Sequence, residues 1–182
     1  GQLARRFNLP FRSGGSLCGS KLPDAQAAYE TTHTLNAALL GGVNFMLHSC
    51  GWLEGGLVSS FEKFVLDADQ LGILHHLARG VSISENDQAL DAIHEVGPGG
   101  HYLGCAHTQA NFKEAFWRTE VLDYKPFETW EEEGAKDSMN LAALRVEQML
   151  ANYQKPTLSP DISEALDAYI ANKKSSMPDS FL

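Results

Sequence analysis

An α/β fold built from parallel strand–helix units is predicted by the stretch 41–56, GGVNFMLHSCGWLEGG, and by the patterns on either side of it. Val43 to Leu47 is a short apolar run with β-branched and aromatic content, held between the pairs Gly41-Gly42 and Gly55-Gly56. That is the signature of a buried strand, expected over 43–48. Helical periodicity precedes it (24–40) and follows it (59–79). The strand end is polar: His48, Ser49, Cys50, Gly51. Helix, buried strand, polar end, Gly-rich loop and helix is the order of a parallel α/β unit. Loops at the C-terminal ends of such strands are free to vary over a rigid scaffold and carry the chemistry. His48 and Cys50 are two apart, so on a strand they share a direction.

Taken in order, Leu3 to Arg6 reads as the close of a helix, and Pro10 to Ser13 as a strand broken by Gly14-Gly15. A start at the tail of a helix is expected of a fragment or a processed chain. Ser16 to Lys21 is a small-residue loop that lets backbone approach a ligand. Pro23-Asp24 opens the helix whose apolar face is Ala27, Ala28, Leu35, Ala38 and Leu39. In the helix after the central strand, Phe61, Phe64, Val65, Ala68, Leu71 and Leu74 recur at three- and four-residue steps. Asp67 and Asp69 then fall on its solvated side. Ser84 to Asp87 starts a helix with Ala89, Leu90, Ile93 and Val96 on one face, ended by Gly97-Pro98-Gly99-Gly100. Asn111 to Trp117 is aromatic with a helical period, and 120–137 is an acidic, irregular arm clamped by Tyr124, Phe127 and Trp130. Met139 to Tyr153 and Ser159 to Lys174 are helices, and 175–182 is a loose tail.

The 182 residues suffice for one domain with a core. Asp+Glu 23 against Lys+Arg 14 gives a net charge of -9, which argues against a nucleic-acid surface. No apolar run approaches the ~20 residues that span a bilayer. Three cysteines without a small-scaffold spacing point to a reducing, cytoplasmic setting.

Two polar clusters compete for chemistry. His48-Ser49-Cys50 and Cys105-Ala106-His107, with His101 and Cys18, are thiol and imidazole groups of the kind zinc takes, yet no CxxC pair exists. The opposing reading is ordinary packing. GPGGHYLG lacks GxGxxG order and no GxxxxGK[ST] occurs, so its glycines read as turn formers before a phosphate cradle. Glu54 lies between Trp52 and Gly55-Gly56. A carboxylate beside an indole can serve as base, acid or cation partner, or it can cap the next helix.

The runs GSKLPDAQAAYE (19–30), GGVNFMLHSCGWLEGGL (41–57), FEKFVLDADQLG (61–72) and VGPGGHYLGCAHT (96–108) together resemble the trimethylamine methyltransferase family of corrinoid-dependent enzymes. The resemblance continues through LDYKPFETWEEEGAKD (122–137). It implies the C-terminal part of a TIM (β/α)8 barrel, helix-rich with few parallel strands, in which 1–182 is a single domain and 120–182 a helical extension packed on it. It implies transfer of a methyl group from a methylated or quaternary amine to Co(I) of a corrinoid protein docked over the barrel mouth. The corrinoid is the partner's, and no cofactor or metal is expected on this chain. Some members carry pyrrolysine near the Gly-rich stretch before the SK-PDAQ motif. Residues 13–21 here are all standard, which resembles the non-pyrrolysine branch and favours a betaine-like quaternary amine.

A quaternary ammonium donates no hydrogen bond, so aromatic faces and diffuse negative charge must recognise it. On that footing Glu54 and His48 are the expected catalytic residues. Trp52, Phe45, Tyr102 and His107 are the expected substrate-binding ones. The rival expectations are a non-catalytic interaction module and a zinc-assisted methyltransferase using Cys and His. A homo-oligomer is expected, because a cut barrel exposes apolar edges and faces.

Overall fold

The computed structural model describes residues 1–177. They form two compact units, 1–148 and the residues from Met149 on. In the first unit a short helix, α1 (Gln2–Arg6), leads to strand β1 (Arg12–Gly14). Helix α2 (Ala25–Leu40) then crosses to β2 (Phe45–Leu47), which pairs parallel with β1. The register sets Arg12 against Phe45, Ser13 against Met46 and Gly14 against Leu47. Strand, helix and parallel strand make a βαβ unit, the arrangement that the switch in periodicity predicts.

Local chemistry explains the boundaries of α2. Asp24 is its N-cap and accepts from the Ala27 N–H at 3.0 Å. The Ser20 hydroxyl, 2.9 Å from Asp24 Oδ1, holds that carboxylate in place. Gly42 follows the C-cap at φ +71, a backbone that favours glycine. Ala27, Thr31, Leu35 and Ala38 form the buried stripe of α2. At the end of β1 the packing is tight. A Cβ on Gly15 would stand 2.8 Å from Ser49 Oγ and 2.9 Å from a Leu35 methyl.

After β2 the chain makes a small antiparallel ribbon, β3 (Trp52–Leu53) with β4 (Val58–Ser59), joined by a 3₁₀ turn over Glu54–Gly56. Helix α3 (Phe61–Arg79) follows, N-capped by Ser60, whose hydroxyl accepts from the Lys63 N–H at 3.2 Å. Its buried side chains are Lys63, Asp67 and Leu74, whereas Phe61 and Phe64 are 68% and 51% exposed. The periodicity reading therefore inverts the first turns of α3, and Asp67 is inside. The reason is the neighbour, because this face meets the Ser16 carbonyl and the Thr31 hydroxyl, buried polar groups that accept from the Lys63 ammonium.

Further along, the helix expected after Ser84 is broken into α4 (Glu85–Gln88) and α5 (Leu90–Val96), because Ala89 turns left-handed at φ 53. The helical period over 111–117 is not realised. Instead α6 (Ala106–Asn111) starts five residues earlier, and the chain beyond it is irregular. There the Trp117 ring lies against Gly72 of α3, Val121 is buried, and the Glu120 N–H donates to Asp69 Oδ1 at 3.2 Å. The acidic arm is not wholly irregular, since it contains α7 (Phe127–Glu132). The Phe127 and Trp130 rings lie 5.8 Å apart, and the Trp130 indole N–H donates to the Lys136 carbonyl at 2.8 Å. Helix α8 (Ser138–Ala151) follows, its residues as far as Gln148 belonging to the first unit.

The second unit carries α9 (Pro160–Ser176), with Ser159 at its N-cap and Pro160 in its first turn. Of the loose tail expected over 175–182, Ser175 and Ser176 belong to α9, and 178–182 lie outside the described residues. The chain is helix-rich with few strands, and β1–β2 is the one parallel pairing among the described residues.

Candidate functional site

The loop that leaves the C-terminal end of β2 is built by backbone geometry that sequence does not reveal. The strand stops at Leu47, and His48 turns left-handed at φ 56. His48 and Cys50 therefore do not share a strand face. The turn brings the His48 ring to the Trp52 ring, with centroids 5.5 Å apart and planes at 75°. Glu54 at φ 49, Gly55 at φ 65 and Gly56 at φ 96 then reverse the chain into β4. Three successive left-handed residues explain the glycine pair here.

A second loop, 15–20, clamps this one from the end of β1. The Ser16 N–H donates to the His48 carbonyl at 3.0 Å, and the Cys18 thiol donates to the Trp52 carbonyl at 3.3 Å. The Glu54 N–H donates to the Ser20 carbonyl at 2.8 Å, and the Gly55 N–H to the Cys18 carbonyl at 2.7 Å. Cys18, Ala27 and Leu53 pack as a small apolar cluster beneath the clamp. Trp52 and Glu54 are left half-buried, and His48 is exposed. The cap of α3 is Ser60, which removes the capping role considered for Glu54. Among the described residues the Glu54 carboxylate has no hydrogen-bond or ion-pair partner, so its charge is available to a ligand.

The remaining expected site residues lie in other elements. Phe45 opens β2 and is 60% exposed. Tyr102 is exposed on the turn before α6 and makes no ring contact with Trp52. His107 is in α6, where its Nε2 lies 2.6 Å from the Asn86 carbonyl oxygen. His48, Trp52 and Glu54 thus share one loop, and Tyr102 and His107 share a second segment. Among the described residues no three His, Cys, Asp or Glu side chains gather in a way that could hold a metal ion.

Beneath the loop lies a group that sequence reasoning missed. The Lys63 ammonium, 2% exposed, donates to Asp67 Oδ2 at 2.6 Å, to the Thr31 hydroxyl at 3.0 Å and to the Ser16 carbonyl at 3.1 Å. The same Asp67 oxygen accepts the Gly51 N–H at 2.8 Å. Burial pushes the Asp67 carboxyl above its ordinary range, against the opposing pull of Lys63 and the Gly51 N–H. Burial, with the Asp67 charge adding to it, pushes the Cys50 thiol up to about 11. Burial also raises Cys18. Hydrogen bonding from Thr108 lowers Cys105. The signal for the buried pair was the Lys and Asp at i, i+4 in FEKFVLDADQLG, a spacing that also suits a solvated surface pair. A cavity of about 360 Å³ between α2 and α3 is lined by Ala27, Thr31, Lys63, Asp67 and Asp69 among others, and by no residue of the Trp52–Glu54 loop.

No helix among the described residues is long and apolar enough to cross a membrane. Residues 1–178 match the family model described as trimethylamine methyltransferase. The glycine betaine methyltransferase of Desulfitobacterium hafniense (strain Y51) is 44% identical over 172 residues, 94% of this chain and 36% of that protein. The trimethylamine methyltransferase MttB of Methanosarcina barkeri (strain Fusaro / DSM 804) is 31% identical over 93% of this chain and 34% of that protein. The proline betaine:corrinoid methyltransferase of Eubacterium limosum is 33% identical over 92% of this chain and 35% of that protein. The chain spans about a third of the length of the curated relatives it matches. With a match along nearly its whole length, the chain belongs to the trimethylamine methyltransferase family.

Proposed function

We propose that this chain forms the C-terminal part of a (β/α)8 barrel that moves a methyl group from a betaine-like quaternary amine to the Co(I) corrinoid of a separate protein. The observation that carries this reading is the loop after β2, where an indole and a carboxylate without a protein partner lie two residues apart in the chain, beyond a strand's C-terminal end. A quaternary ammonium needs those two groups and no hydrogen-bond acceptor. The greater identity to a glycine betaine methyltransferase than to a trimethylamine methyltransferase supports the choice of amine. So do the standard residues throughout 13–21.

In this reading Trp52 offers its face to the cation and Glu54 its charge, with Phe45 and Tyr102 as further aromatic candidates. His48 or His107 would hold a substrate carboxylate. The N–CH3 bond breaks with its electron pair kept by nitrogen, which leaves as a neutral tertiary amine, so no general acid is required. What the protein contributes is alignment of that bond toward the incoming nucleophile and exclusion of competing water. The corrinoid, when docked, supplies the nucleophile that accepts the methyl group. Exposed His48 and Gly55 suit a corrinoid presented by a docked partner over one held within this chain.

The full-length protein, mixed with a reduced corrinoid protein, tests the reading through the absorbance change on methyl transfer across a panel of betaines and trimethylamine. Turnover of a betaine is expected, and Glu54→Gln should raise KM for the cation roughly threefold or more. Absence of turnover with every quaternary amine overturns the reading. Unchanged activity in the Trp52→Ala/Glu54→Gln double variant overturns the assignment of these residues.

A further inference from the structure

The geometry points to the buried Lys63–Asp67 pair as a strut that sets the position of the Trp52–Glu54 loop, which makes both of them positioning residues for the amine site. This rests on reading that loop as the surface that meets the amine.

An ammonium has three donors, and Lys63 spends them on three different places. Ser16 belongs to the loop after β1, Thr31 to α2, and Asp67 to α3 itself. The carboxylate then reaches the loop after β2 through the Gly51 N–H. Gly51 immediately precedes Trp52, stands at φ +82, and has its own carbonyl fixed by the Ser60 N–H at 3.0 Å. Ser16 in turn holds the His48 carbonyl. One ion pair therefore fixes both loops that shape the site from beneath them, its side chains lining the cavity between α2 and α3 and not the Trp52–Glu54 loop. Its side chains are 2% and 7% exposed, so it is not a solvated surface pair. Replacing a buried ion pair by apolar groups of similar volume is often neutral for stability, so stability is a poor reason for one here. Placement of the Gly51 N–H, which an apolar pair cannot accept, is the better reason.

Two double variants of the full-length protein separate the roles: Lys63→Met/Asp67→Leu and Lys63→Met/Asp67→Asn. Both remove the charges, and only the asparagine keeps an acceptor for the Gly51 N–H. At matched thermal stability the leucine variant should exchange the amides of 49–55 at least about tenfold faster than the asparagine variant. It should also raise KM for the amine at least about tenfold with kcat nearly unchanged, and the asparagine should restore both. Equal exchange or equal KM in the two variants overturns the inference. So does a Gly51 amide in the wild-type protein that exchanges as fast as in a free peptide, a measurement that needs no variant to fold. If no amine is turned over, the exchange data alone decide the strut, and the loss falls on the proposed function.

Discussion

The rings of His48 and Trp52 meet nearly at right angles, at 75° with centroids 5.5 Å apart. Edge-to-face pairs at this separation stabilise by about 0.5–1.5 kcal/mol when buried. His48 is exposed, so the low end of that range applies. His48→Ala should therefore lower stability by about 0.5 kcal/mol and change the Trp52 emission. Trp52→Ala should weaken amine binding by ~0.5–2 kcal/mol, seen as a higher KM. Urea midpoints and steady-state kinetics check the two separately. An unchanged KM in Trp52→Ala removes the indole from the site.

Gly15 tests the fit between the two strand ends. A methyl group there would collide with Ser49 Oγ, the Ser49 Cα and a Leu35 methyl, all within 3.0 Å. Overpacking of this kind costs about 1–3 kcal/mol. Gly15→Ala should lose stability in that range by urea denaturation, although alanine is ordinarily easier to order than glycine. A variant as stable as the wild type would mean that the loop after β2 yields freely.

Cys50 gives a pH signature. Burial, then the Asp67 charge, raises its thiol from 9.0 to about 11 in the folded chain. On rising pH the unfolded chain loses this proton first. The thiol's contribution to stability is therefore intact below pH 9 and is lost as pH climbs toward about 11. At pH 8 the folded thiolate is about a hundredfold scarcer than in the unfolded chain, partly offset by its greater nucleophilicity. Iodoacetamide should then label Cys50 roughly tenfold or more slowly in the folded protein than in urea, read by peptide mass. Equal rates would show that the site is open and the thiol unperturbed.

The helices and the parallel strand were legible because their signals are local. Asp24 and Ser60 are side-chain caps, and the glycines at 41, 42 and 80 are stops, so α2, β2 and α3 fall within two residues of their expected spans. The interior of α3 was not legible. Hydrophobic periodicity assigns Asp67 to solvent, and only the polar atoms of Ser16, Thr31 and Gly51, brought from other segments, make it and Lys63 core residues. The loop after β2 stands out as a candidate site from its composition. Its shape depends on left-handed turns at His48 and Glu54, residues without glycine's freedom, and no sequence signal marks these. Ala89 splits one expected helix in the same unannounced way.

The clamp between the two loops has a consequence for how the site comes into being. Its contacts join residues far apart in sequence, such as Cys18 and Trp52 at a separation of 34. The helices need only neighbours to form, whereas these bonds require the segment between them to be folded and both strand ends docked. Closing a loop of that length costs entropy before any bond compensates for it. The clamped form of the loop after β2 is therefore a late and cooperative product of assembly. A folding intermediate with every helix in place would still lack the bonds that hold Trp52 and Glu54.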